Sequence, residues 1–212
     1  MRWGAQTQNM IAAVISTVRA EERGKMKRLD TVERHLLPNM DLSVPSFFSP
    51  LLEAWQRHQA ETEDVFPAYR SFDVLEVPST LISHLILCKL IGTPRRFFYE
   101  VVGQAIETHN GFSASKRFLA DLPLKNKKVM AREFGLTVLN RCPIYSRGAY
   151  IGKYEYVREI ERLICPYRIE GDTFAFVALA RFTLDQAGME QERRDGGSWE
   201  PIGLHKKVPA EL

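Results

Sequence analysis

The segment from Cys142 to Thr183 constrains the fold of this 212-residue chain more than any other stretch. Beyond Lys153 it reads YEYVREIERLICPYRI, is interrupted at Glu170-Gly171-Asp172, and resumes as TFAFVALARFT. Tyr, Val, Ile and Phe, which suit a pleated and half-buried surface, are dense on both sides of the break. Glycine with acidic neighbours is turn chemistry. The pattern predicts a long antiparallel hairpin with a shorter strand ahead of it, starting near Pro143. Within the first long strand the apolar pattern slips between Val157 and Ile160, which predicts a bulge or a partly covered face.

A second ribbon is expected upstream. LISHLILCKLI (Leu81 to Ile91) has strand composition, Gly92-Thr93-Pro94 is a turn, and RFFYEVVG (Arg96 to Gly103) reads as the partner strand. Apolar residues fall on both parities there, as they do where both faces of a sheet are covered. Ser49-Pro50 opens a helix over about residues 47–61, with Ser as the cap and Pro at the first helical position. Phe48, Leu51, Leu52 and Trp55 form its apolar stripe. Between the two ribbons lie short helical pieces, AIETH and SKRFLADL, broken near Asn110-Gly111. A longer helix follows from about Asn126 to Asn140, with Met130, Phe134 and Val138 recurring every four residues. Cys142-Pro143 ends it, because the residue before proline avoids helical angles. The order is helix, two strands, a helical stretch and three strands, which is an α+β pattern with five strands.

Residues 46–185 form the expected domain, flanked by an N-terminal extension (1–45) and a flexible C-terminal tail (186–212). The extension carries dense mixed charge from Glu21 to Arg34, and the tail contains GMEQERRDGGSWEP, in which Trp199 and the later Ile202 and Leu204 are candidate anchors. The net charge of +3 and pI near 8.8 do not imply nucleic acid, since basic residues are scattered among nearly as many acids. MIAAVISTV (Met10 to Val18) is far shorter than the roughly 20 residues a membrane span needs, and lacks the flanks of a secretory leader. Cys88, Cys142 and Cys165 are too few and too dispersed for a disulfide framework or a close-paired zinc site. Cys88 and Cys165 sit in apolar strand patterns as small hydrophobes, and a reducing cytoplasm is the expected location.

No nucleophile elbow, phosphate-cradling loop, paired-histidine metal motif or dinucleotide fingerprint is present. Asp121 and Glu133 are expected on helix surfaces, and Glu61 and Glu63 at a solvated helix end. Arg158, Glu159, Glu161 and Arg162 alternate in sign along one strand. Arg147 and Arg181 are their expected cross-strand partners on a solvated sheet face, with anion binding by Arg158 and Arg162 as the functional alternative. LKNKKVMAR places bases at a helix start, against the helix dipole, which suits an anionic partner or a solvated surface.

Three stretches carry a family resemblance. They are FDVLEVPSTLISHLILCKL, with its aspartate, proline and leucine-rich strand; RFFYEVVGQAIETHNGF, with Val-Gly and a short helix leading to Gly; and ERLICPYRIEGD followed by FAFVALA, a proline-containing strand and an acidic-glycine turn. Over about residues 47–184 the chain resembles a PAS domain, and more narrowly the small bacterial stand-alone PAS-like proteins of uncharacterised function. The resemblance implies a five-stranded antiparallel sheet with short helices on one face and a flanking N-terminal helix. It implies a non-enzymatic sensory or protein-interaction domain that signals through a partner protein; the Phe48, Leu51 and Trp55 stripe is expected to pack on the outer sheet face or on a second copy, in a homodimer through the helix around Trp55. A small apolar ligand would sit between helices and sheet, in a pocket drawing on Tyr99, Val101, Ile106, Phe118, Met130, Phe134, Phe174 and Phe176; the alternative is that these side chains only fill the core. His109 falls where haem-binding relatives place an axial ligand, but no supporting haem motif is present, the flavin-adduct cysteine motif is absent, and no metal site is expected. The alternative function is an enzyme or carrier of the cone-shaped α+β type, which needs a buried carboxylate in its pocket.

Overall fold

The computed structural model describes residues 32–37, 44–94 and 96–187, with residues 190 and 194 beyond them. The apolar stretch Met10–Val18, most of the tail beyond residue 187, and its candidate anchors lie outside the described residues. In chain order the main elements are β1 (Glu33–Leu36), α1 (Ser49–Ala60), β2 (Leu85–Ile91), β3 (Arg96–Val102), α2 (Gln104–Asn110), β4 (Arg117–Phe118), α3 (Lys127–Asn140), β5 (Ile144–Ala149), β6 (Val157–Glu170) and β7 (Thr173–Leu184). The strands form one sheet in the order β1-β5-β6-β7-β2-β3-β4, and all adjacent pairs are antiparallel.

The fold is therefore α+β, but among the described residues the sheet has seven strands where five were expected. One addition is β1, drawn from the charged stretch read as an appendage, which pairs with β5 from Glu33↔Arg147 to Leu36↔Ile144. Charged residues suit this place, because they blunt an exposed sheet edge. The other is β4, where SKRFLADL was expected to be helical. Lys116 adopts a left-handed φ of 61°, which breaks a helix, and Phe118 pairs with Phe98. A short 3₁₀ turn at Leu119–Asp121 follows.

The β6–β7 hairpin closes through Gly171-Asp172, with Glu170 opposite Thr173 and Gly171 at φ 49°. That positive φ is why glycine stands there. The register shifts between Val157 and Glu159, where the apolar pattern slips. At the other ribbon, Gly103 joins β3 to α2 so close to the Ser83 carbonyl that a Cβ would lie 2.2 Å from its oxygen.

Both sheet faces are covered. One face packs Ile86, Cys88, Tyr99, Phe174 and Phe176 under α2 and α3. The other packs Leu163, Cys165, Tyr167, Val177 and Leu179 under α1 and its Phe48, Leu51 and Trp55. Alternate residues of β6 and β7 thus enter different cores, which is why apolar residues occupy both parities. The α1 helix has its proline in the first turn, but Phe48 is the N-cap and Ser49 lies inside the helix without capping it.

β6 outruns β5, whose pairing stops at Ile144↔Ile164. The exposed edge beyond is finished in three ways. Pro166 has no N–H to leave unpaired. Its carbonyl accepts a 2.7 Å hydrogen bond from Trp55 Nε1, and the Arg168 N–H donates to Pro67 O at 2.9 Å. Trp55 is only 5% exposed, so of the two places expected for its stripe, the outer sheet face or a second copy, the chain's own sheet takes it. No helix among the described residues is long and apolar enough to cross a membrane.

Replacing Trp55 with Ala removes this bond and a packed aromatic. We expect a loss of about 3–5 kcal/mol in denaturant unfolding; a loss below about 1 kcal/mol would contradict the anchoring role.

Candidate functional site

The face beneath α3 is apolar except for one row of polar residues running across the strands. Register aligns Arg34 with Ser146 and Ser146 with Arg162, placing side chains from β1, β5 and β6 in line. Above them the buried positions of α3 are Met130, Glu133, Phe134, Thr137 and Val138. These follow the i, i+3, i+4, i+7, i+8 spacing of a single helix face. Glu133 therefore belongs to the buried stripe and is 0% exposed, correcting the expectation that it lies on the helix surface. The spacing from Met130 carried that information, and the charge concealed it.

Arg162, itself 3% exposed, meets the Glu133 carboxylate with both prongs of its guanidinium. Nε donates to Oε2 at 3.0 Å and Nη2 to Oε1 at 3.1 Å. Arg34 Nε lies 3.5 Å from Oε1. Burial pulls the Arg34 guanidinium below its usual pKa, and Glu133 opposes that shift. One fully buried carboxylate thus joins a helix to two strands, and a two-pronged arginine contact fixes orientation as well as charge.

A cavity of about 40 Å³ lies between α2, α3 and the sheet, with Arg162 in its wall. That is room for one or two waters, well short of the roughly 300–1,000 Å³ of drug-sized ligand pockets. Asn110, Asn126 and Ala114 also line it. The Asn126 Oδ1 is buried without a hydrogen-bond partner, an unmet acceptor at the cavity wall. The loop before β4 is pinned by Glu107, whose Oε1 accepts from the Ala114 and Ser115 amides, each at 2.9 Å. Burial raises the Glu107 carboxyl, but hydrogen bonds led by those amides outweigh it and hold the group below its usual range.

Of the residues expected in the pocket, Tyr99, Ile106 and Met130 line this cavity, and burial pushes the Tyr99 hydroxyl far up. Phe134, Phe174 and Phe176 belong to the same core but fill it; the Phe134 and Phe176 rings are 4.9 Å apart. Val101 lies elsewhere. Leu87 pairs with Val101 but Cys88 with Tyr99, so Glu100 is an extra residue and the parity inverts across it. Val102 takes the inward place, and Val101 is 40% exposed. Phe118, set in an edge strand rather than a helix, stands with Phe98 at 5.2 Å and with Arg96 over its ring. His109 is buried but does not line the cavity: it stacks on Phe182 at 4.4 Å, and its Nδ1–H donates to the Ala105 carbonyl.

The charged cluster on β6 is taken up by ion pairs. Arg147 pairs with Glu159 and Arg181 with Glu161, each at 2.6 Å, and Arg158 pairs with Asp185. Arg158 and Arg162, the two residues considered for anion binding, both hold carboxylates already. Cys88, Cys142 and Cys165 are buried free thiols.

No protein-family model matches this chain, and no curated protein matches it.

Two predictions follow from the charges. Glu133→Gln leaves Arg162 buried and uncompensated, with an expected loss of about 3–5 kcal/mol in chemical unfolding; Glu133→Leu with Arg162→Met is expected to recover most of it. A single variant as stable as the parent would refute the pairing. His84 and His109 both have pKa values below the usual 6.5, first because of burial. A lowered folded pKa means the neutral form is favoured in the folded chain. The stability that follows is complete above the unfolded value of about 6.5 and is lost as pH falls through the folded values. Melting temperature is therefore expected to decline as pH drops below about 6.5, with a shallower decline in His109→Phe.

Proposed function

We propose that this chain is a PAS-like sensory or protein-interaction domain in which occupancy of the α2–α3 cavity is passed to strand β1 through Glu133. One observation carries the reading: the same buried carboxylate holds Arg162, which lines the cavity, and Arg34, which belongs to the edge strand. The topology supports it. β2 pairs with β7, so the first ribbon and the last three strands share one antiparallel surface with α2 and α3 against it.

The transmitted change is a population shift. An occupant the size of one or two waters, polar rather than the apolar ligand expected, that satisfies Asn126 and competes for Arg162 weakens the Arg162–Glu133 bond and leaves Glu133 more fully to Arg34. β1 is four residues long and, among the described residues, paired on one side only, so it belongs to the low-stability end of the fold, where such a change is read most easily. The element that reports is then β1 rather than α1, whose apolar stripe is committed to the sheet. The output passes to another protein of the cytoplasm, and a homodimer requires a surface other than the Trp55 stripe.

The cone-shaped enzyme or carrier reading has one observation in its favour, the fully buried Glu133. Both carboxylate oxygens are engaged by Arg162, which makes Glu133 a structural anion rather than a waiting base. The sensory reading is therefore preferred.

Native mass spectrometry with an absorbance scan of the freshly purified protein tests for a carried ligand, and amide hydrogen exchange over residues 33–36 reads β1. Loaded protein, or an Ala114→Val variant that fills the cavity, is expected to change exchange in β1 by about threefold or more. In Glu133→Gln that response should vanish. A β1 whose exchange ignores both cavity filling and Glu133 would overturn the proposal.

A further inference from the structure

A second concavity, remote from the α2–α3 cavity, opens where β6 runs past the end of β5. The segment from Thr62 to Arg70 crosses there, with Ala68 bridged to Arg168. The cleft between them has a volume of about 400 Å³, within the range of small-molecule sites. Its walls are of two kinds. Tyr69 and Ile169 are the apolar surfaces it presents, Tyr69 half-buried and Ile169 41% exposed although large and aliphatic, while Phe66 behind them is fully buried. Arg70, Arg168 and Asp64 are charged.

The charges do not cancel. Asp64 Oδ2 lies 3.3 Å from Arg168 Nη1, which accounts for one cation and one anion. Arg70 is exposed and has no hydrogen bond or ion pair among the described residues. The Arg168 guanidinium is fixed over the rings of Phe66 at 5.5 Å and Phe174 at 5.9 Å, and its Nε is buried without a partner. A cationic ligand gains nothing here, since the one carboxylate is already paired. A bare inorganic anion leaves the apolar walls wet.

We propose that this cleft binds a small organic carboxylate with a flat apolar body, its carboxylate on Arg70 beside Arg168 and its body against Tyr69 and Ile169. The planar fork of arginine matches a carboxylate, and a rigid aromatic wall accepts a flat ligand at small entropic cost. The site is independent of the Glu133 relay.

The test uses the full chain, with benzoate as the probe, benzamide as its neutral isostere and inorganic phosphate as an anion without a body. The methyl NMR signal of Ile169 is the readout. Benzoate is expected to move that signal saturably, with benzamide and phosphate each about tenfold weaker or worse. Arg70→Gln, at an exposed position without partners, is expected to keep the parent melting curve and weaken benzoate about tenfold. An Ile169 signal that never saturates overturns the assignment. So does benzamide or phosphate binding as tightly as benzoate, or Arg70→Gln binding unchanged.

Discussion

The strand β6 is longer than the neighbour that should protect it, and much of the architecture answers that mismatch. On one side it pairs with β7 along its whole length. On the other, β5 covers it only up to Ile164. An unpaired edge in the middle of a domain leaves polar backbone groups without partners, which is costly when water is excluded. Pro166 removes one donor, Trp55 supplies a donor to the Pro166 carbonyl, and Pro67 accepts from the Arg168 amide. The position of α1 and the path of residues 62–70 both follow from this repair. The cleft beside Arg168 is the space left where the crossing segment departs from the strand.

The second constraint is that the sheet is buried on both faces. Alternate residues of β6 enter separate cores, Ile164 under α3 and Cys165 and Tyr167 under α1. A register slip of one residue would exchange the two cores. The transverse row Arg34–Ser146–Arg162 resists such a slip, because Glu133 reaches its cations only in the observed register. The bulge at Glu100 works in the same direction: it turns Tyr99 and Val102 toward the helices and lets Glu100 meet Lys89 at 2.7 Å on the other face.

What the sequence made legible was whatever local chemistry determines. Gly171 needed a positive φ, and Met130, Phe134 and Val138 needed a core; both were readable from spacing and residue type. The hairpin, the first ribbon, α1 and α3 follow from such signals. What remained hidden depended on pairing at a distance. Residues 33–36 carry no strand signal of their own and become β1 because β5 offers an edge. Val101 was placed in the pocket beside Tyr99 by the resemblance, and a single extra residue in β3 inverts its parity. Glu133 was read as exposed because charge usually means exposure, yet its spacing from Met130 had already placed it on the buried face. The Arg168 cleft had no local signature, since its walls come from segments about a hundred residues apart in the chain.

The buried charge row is the feature that stability alone explains least. Removing a carboxylate and a guanidinium from water costs several kcal/mol each, and apolar residues of similar volume fill such a space as well or better. What an ion pair supplies and an apolar cluster does not is direction: Glu133 accepts from Arg162 in one geometry and meets Arg34 in another. A methyl group is indifferent to which neighbour it touches, whereas a carboxylate shared between two arginines responds when either is drawn away. Here one arginine lines a cavity and the other sits on the edge strand β1. The desolvation cost is thus set against a directional link between the cavity wall and the sheet edge.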